Sequence, residues 1–287
     1  MNVEEYLRVK MKLVEIAAHP FGLFEKFWIQ NLKLPIEWSS IKEWDESIWK
    51  KIEQENDAVL LGSDMLEKYL ISSRQKPKQI LEMQQLDALV KTENKLWPQS
   101  FLRESLRQLI LKTAPNLKCD HIGYITGQND KTRVAVSVLV QFGYSNIILI
   151  VGEDNDYSEQ KENWERSYFG VNFKWIKNTD LTLQQNDGSI LINTENLVDH
   201  KELLEDLSYL NFLNRDGLVV DLSIFPLKNH LRDEAAQLKV RNLPGHIIYG
   251  MSGFLLLKSL GINQNEDEYM KNWCDFINLE QQNQSKV

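Results

Sequence analysis

From Gly123 onward the chain repeats one rhythm, a short apolar run followed by a segment of helical length. The runs are IGYI at 122–125, NIILIV at 146–151, VNFKWI at 171–176, SILIN at 189–193 and GLVVDLSI at 217–224. Strands that are apolar without alternation are buried on both faces, which is the condition of parallel sheets covered by helices above and below. The pattern therefore predicts an α/β fold with a Rossmann-like, doubly wound parallel sheet.

The first hundred residues follow a different pattern. Aromatic-rich segments run from Phe21 to Trp28 and from Trp38 to Trp49, followed by DAVLLGSD and LDALVKTEN, which read as strands. This predicts an N-terminal α/β lobe over 1–99, a Rossmann-like domain over 100–250, and a C-terminal segment over 251–287 that packs back on the first lobe. SFLRESLRQLIL at 100–111 reads as the connecting helix, with Phe101, Leu102, Leu106, Leu109 and Ile110 on one face and Ser100 as its N-cap. GFLLLKSLGI reads as a buried helix or strand, and the polar tail after Ile277 as a frayed end.

Composition narrows the function classes. The 287 residues, 43% hydrophobic and 10% aromatic, are enough for a large core, and the eight tryptophans are expected mainly inside it. The net charge of −8 is spread over mixed-sign segments with no basic cluster, which argues against a nucleic-acid surface. Charges throughout the first twenty residues leave no signal-like apolar stretch, and no segment has the length of a membrane span, so a cytoplasmic protein is expected. Cys119 and Cys274 form no disulfide framework, and the five histidines lack ligand spacing, so no metal site is expected.

The stretch ITGQNDKTRVAVSVLVQFGYSNIILIV carries the chemical question. Its β-branched run VAVSVLV suits a strand, with GQND as a hairpin turn. It equally suits a strand, a turn and a crossover helix whose N-terminus faces an anion.

The segment VVDLSIFPLKNHLRDEAAQLKVRNLPG at 219–245 resembles the shikimate dehydrogenase family. There an aspartate ends a core strand, a proline follows five residues on, and a leucine-rich helix leads to a glycine. Asp221, Pro226, Leu227, Leu231, Glu234, Ala235 and Gly245 stand in those places. SILINTENL is similar to the family's strand ending in Asn-Ala-Thr, matched by Asn193 and Thr194, and the GQND stretch looks like its cofactor-binding unit, which favours the helix over the hairpin.

The resemblance implies NAD(P)-dependent reduction of 3-dehydroshikimate, and the site positions depart from it. The family's His-Ser-x-Ser-Pro segment corresponds to AAHPFGLFEK, without either serine. Its catalytic lysine corresponds to Lys68 at the end of GSDMLEK, with Asp64 one turn earlier, and the threonine and proline before it are missing. Its catalytic aspartate falls on Ser100, leaving Glu104 as a carboxylate one helical turn away. Its Ala-Val-Asn-Thr segment corresponds to Ala88–Lys91, and its C-terminal glutamine has no counterpart in YGMSGFLLL.

At the cofactor turn Gly127 keeps the first glycine's place, while Asn129 and Asp130 hold the next two, with Lys131, Thr132 and Arg133 able to offset the charge. After the next strand, Glu153 and Asp154 stand where a 2′-phosphate grip would be, which suits the ribose diol of NAD over NADP. The expectation is a pseudoenzyme or repurposed protein that binds a small hydroxy acid or a protein partner, with NAD or NADP binding doubtful. The alternatives are an active NAD-preferring dehydrogenase of a shikimate- or quinate-like acid, or another doubly wound enzyme with an adenosine ligand.

Overall fold

The computed structural model describes residues 10–16, 22–42, 46–62, 86–152, 158–184, 187–196, 207 and 210–284. Lys68 and Asp64 lie outside them, as do His19, Glu153 and Asp154. The chain divides into two compact units, one formed by 1–101 and 250–277, the other by 102–249 and 278–287.

In the first unit the described strands are β1 (Met11–Ile16), β2 (Ile36–Ile41), β3 (Ala58–Leu61), β4 (Ala88–Thr92) and β5 (Lys95–Gln99). They form a mixed sheet in the order β2-β1-β3-β4-β5, parallel across β1, β2 and β3 and antiparallel from β3 through β5. Asn94, in the tight turn between β4 and β5, has φ 63°, a conformation asparagine tolerates better than most residues. Val14, Ile16, Val59, Leu61 and Leu89 pack with Ile52 of α2 (Glu46–Glu55) into one apolar cluster.

The aromatic N-terminal segment forms α1 (Gly22–Glu25), continued by a π-helical turn at Lys26–Asn31. Phe24, Phe27 and Trp28 meet Tyr269, Trp273 and Phe276 of α8 (Glu266–Gln284), with ring centroids mostly 5.0–5.8 Å apart. Trp28 Nε1 donates to the buried Tyr269 hydroxyl at 3.0 Å, so the indole is satisfied without water. These tryptophans are core, as composition suggests, although Trp97 is 38% exposed.

The second unit holds the parallel sheet. Its strands are β6 (Ile122–Thr126), β7 (Asn146–Val151), β8 (Asn172–Lys177), β9 (Gly188–Asn193), β10 (Leu213–Asp221) and β11 (Arg241–Pro244), in the order β11-β10-β9-β6-β7-β8. All their pairings are parallel. Counted within the unit this is the order 6-5-4-1-2-3, the doubly wound arrangement, with its switch point between β6 and β9. The described helices include α3 (Phe101–Thr113), α4 (Asp130–Gln141), α5 (Ser158–Ser167), α6 (His230–Gln237) and α7 (Gly245–Ser259), the last continuing into the first unit.

VAVSVLV lies inside α4, which removes the hairpin alternative. Val134, Ala135, Val136, Val138 and Leu139 are all fully buried, and burial on nearly every side outweighs the modest helix cost of β-branched residues. The tail is also not frayed at Ile277, because α8 continues to Gln284. Nothing in NLEQQNQ breaks a helix, and Gln281 Oε1 accepts the Leu227 N–H at 2.8 Å, which ties the last turns down. GFLLLKSLGI is helical as far as Ser259, and no described helix is long and apolar enough to cross a membrane.

Candidate functional site

In a doubly wound sheet the loops beyond the strand ends at the switch point open a crevice, because neighbouring connections leave in opposite directions there. Two such loops meet here, Gly127–Asn129 after β6 and Thr194–Asn196 after β9. Their strands are in register, Thr126 opposite Asn193, so the loops start level with each other.

A chain of buried polar groups locks them together. Thr126 Oγ1 donates to Asn193 Oδ1 at 2.6 Å, and Thr194 Oγ1 donates to the Thr126 carbonyl at 2.6 Å. With the Thr194 proton so committed, the Thr132 hydroxyl 2.9 Å away is the donor to Thr194. Asn193 Nδ2 donates to Asp221 Oδ1 and to the Glu195 carbonyl, both at 2.9 Å. Asp221, with no exposed surface, also accepts from the Ser223 N–H and from Asn229 Nδ2, and pairs with Arg232 at 2.8 Å. A buried carboxylate with this many donors is a satisfied charge.

The turn after β6 is narrow. Gly127 has φ +97°, and a Cβ there would stand 2.4 Å from Thr194 Oγ1 and 2.5 Å from Glu195 Oε1, so only glycine fits. Asn129 is extended and acts as the N-cap of α4, its Oδ1 accepting from the Lys131 N–H at 2.9 Å while its Nδ2 donates to the Thr194 carbonyl at 3.0 Å. The Gln128 N–H donates to Glu195 Oε1 at 3.0 Å.

Three donors of this helix start are thus spent on the chain's own groups, Gln128 N–H on Glu195, and Lys131 N–H and Thr132 N–H on Asn129. Asp130 adds a second carboxylate in the first turn of α4, and both negative charges suit the positive end of the helix dipole. Lys131 sits 5.9 Å from the Tyr249 ring centroid, and Arg133 lies half-buried in the same turn.

The structure therefore brings Gly127, Asn129, Asp130, Arg133, Asn193 and Thr194 together at the two switch-point loops. Ser100 lies in the other unit at the start of α3. There the Phe101 N–H donates to Asp87 Oδ1 at 2.8 Å, so the carboxylate at this helix start comes from the segment leading into β4. Glu104 is committed to Arg107 and Gln108 at 2.7 Å, and the Arg107 bond holds its carboxyl below the usual range. Sequence reasoning missed Asp87 and Glu195. The signal for Glu195 was its position directly after Asn193-Thr194, where a carboxylate is placed to reach the neighbouring loop. Among the described residues no His, Cys, Asp and Glu cluster could hold a metal ion.

No protein-family model and no curated protein matches the sequence. Solved structures do. The shikimate 5-dehydrogenase of Thermus thermophilus in complex with shikimate is 12% identical, with 93% of this chain and 99% of that one covered at a TM-score of 0.68. That of Listeria monocytogenes in complex with shikimate and NAD is 13% identical over 91% and 95% at 0.73. The quinate dehydrogenase of Corynebacterium glutamicum in complex with NAD is 10% identical over 93% and 99% at 0.72. With agreement over nearly the whole length of both chains, this chain has the fold of the shikimate dehydrogenases.

Proposed function

We propose that this chain is a shikimate dehydrogenase-fold protein without the NAD(P)-linked oxidation of its structural relatives, working as a binding protein for a small hydroxy acid or a protein partner. The observation that carries this reading is the Gln128–Glu195 bond. A dinucleotide's diphosphate needs the backbone donors at this turn and an approach free of side chains. Here a carboxylate of the chain already accepts one of those donors, Asn129 accepts two more, and Asp130 adds like charge. An incoming phosphate facing Glu195 and Asp130 meets repulsion on the order of 1–3 kcal/mol per charge at an effective dielectric near 20. The turn as built does not fit a diphosphate.

The second reading, an NAD-preferring dehydrogenase of a quinate- or shikimate-like acid, is favoured by the similarity to a quinate dehydrogenase in complex with NAD. Assays of shikimate and quinate oxidation with NAD and with NADP separate the two. We expect no turnover above the uncatalysed background, whereas a rate of about 1 s⁻¹ or more with either acid would establish the second reading.

A further inference from the structure

The strand ends opposite the switch-point loops carry a cleft of their own. It has a volume of about 380 Å³ and lies at the N-terminal ends of β6, β7 and β8, within the second unit. The register puts Tyr124 beside Ile148 and Ile148 beside Lys174, one row on one face of the sheet, with Asn146 beside Asn172 in the row nearer the strand starts. The wall across from this face is the segment Leu183, Gln184 and Asp187 that leads into β9.

Two buried polar atoms in this cleft lack a hydrogen-bond partner among the described residues, the Tyr124 hydroxyl and Asp187 Oδ1. Tyr124 has no exposed surface, packs in the apolar core edge-on to Phe212 at 4.8 Å, and lines the cleft. The Asp187 backbone is fixed, its carbonyl 2.9 Å from His121 Nδ1 and accepting from the Ile122 N–H, which sets where its side chain starts. A buried donor and a buried acceptor each left unmade cost about 1–3 kcal/mol, and such pairs in one cleft mark a place where something else completes them.

The remaining groups define that something. Asp187 Oδ1 asks for a donor, best a cationic one, and the Tyr124 hydroxyl, kept protonated by burial, donates to an acceptor, best an anionic one. Lys174 stands two strands from Tyr124, about 10 Å across the sheet, and brings positive charge to the same end. Ile122 and Ile148 give an apolar floor, and Leu183, 78% exposed, gives an apolar lip. The volume lies at the small end of ligand sites.

We propose that this cleft is a binding site for a small zwitterion of the α-amino acid class with a short aliphatic side chain, its ammonium on Asp187 and its carboxylate toward Tyr124 and Lys174. The site is separate from the turn after β6, so it stands whether or not a dinucleotide binds there.

Calorimetric titration of the full chain with 2-aminopentanoic acid, pentanoic acid and butylamine tests it. We expect 2-aminopentanoic acid to bind and each of the other two, lacking one charge, to bind at least about tenfold more weakly. Asp187→Asn should weaken the amino acid about tenfold or more, and the isosteric Tyr124→Phe about threefold to tenfold. Absence of binding by all three compounds, equal binding of the amine and the amino acid, or affinity unchanged in both variants would overturn the proposal. If Tyr124→Phe does not fold, the three-compound series and Asp187→Asn decide.

Discussion

His246 gives the molecule a pH signature at the level of one side chain. Burial, and after it the nearby Arg232 guanidinium, pushes its pKa down from 6.5 to about 4, with Asp221 opposing in part. The unfolded chain therefore binds a proton below pH 6.5 that the folded chain refuses until about pH 4, and stability falls as pH drops through that window. At pH 5 the loss should be about 1–2 kcal/mol relative to pH 7. Glu104, held below its usual value of 4.5, loses its contribution only at lower pH and so stays out of the comparison of pH 7 with pH 5. Urea unfolding of His246→Gln should show a smaller drop between these two pH values, and a drop equal to that of the unsubstituted chain would contradict the assignment. Asp221 caps the turn after β10 by accepting the Ser223 N–H. The ion pair with Arg232 was not legible, because periodicity places a residue on a face without naming its partner across a loop.

Among the elements, the turn from β6 into α4 decides most. Gly127 and Gly143 both have positive φ, +97° and +91°, and they differ in surroundings, since a Cβ at Gly143 would meet nothing within 4 Å. Substituting alanine at Gly143 should cost about 1 kcal/mol of backbone strain, and at Gly127 about 2 kcal/mol more, as Thr194 and Glu195 are forced apart. Chemical denaturation of the two variants measures the difference, and equal costs would mean the two loops are not held together as described. The strands were legible from their unbroken apolar runs. The helical state of VAVSVLV was not legible from its residues, since β-branched runs fit a buried strand and a buried helix alike, and only the enclosing layers decide. Likewise the end of α8 escaped detection because a polar, glutamine-rich segment shows no apolar stripe, although its last turns are tied by Gln281.

For the whole molecule, the doubly wound order β11-β10-β9-β6-β7-β8 rests on the β-α alternation that runs from Gly123 onward, and the agreement with shikimate and quinate dehydrogenases extends over nearly the whole chain. Asn193, Thr194 and Gly127 stand at the switch point, where strand ends and tight turns are written in local residue types. Glu195 did not stand out, since a carboxylate's reach to a loop 67 residues away depends on the register of β6 and β9. In the proposed function, its contact with Gln128 is what keeps a dinucleotide's diphosphate from the turn. The most direct test is isothermal calorimetry of the unmodified chain with NADH and NADPH. The prediction is no binding tighter than about 1 mM for either, which corresponds to about −4 kcal/mol. Micromolar binding of either dinucleotide would show that the Glu195 carboxylate yields its place to a diphosphate, and would contradict the account.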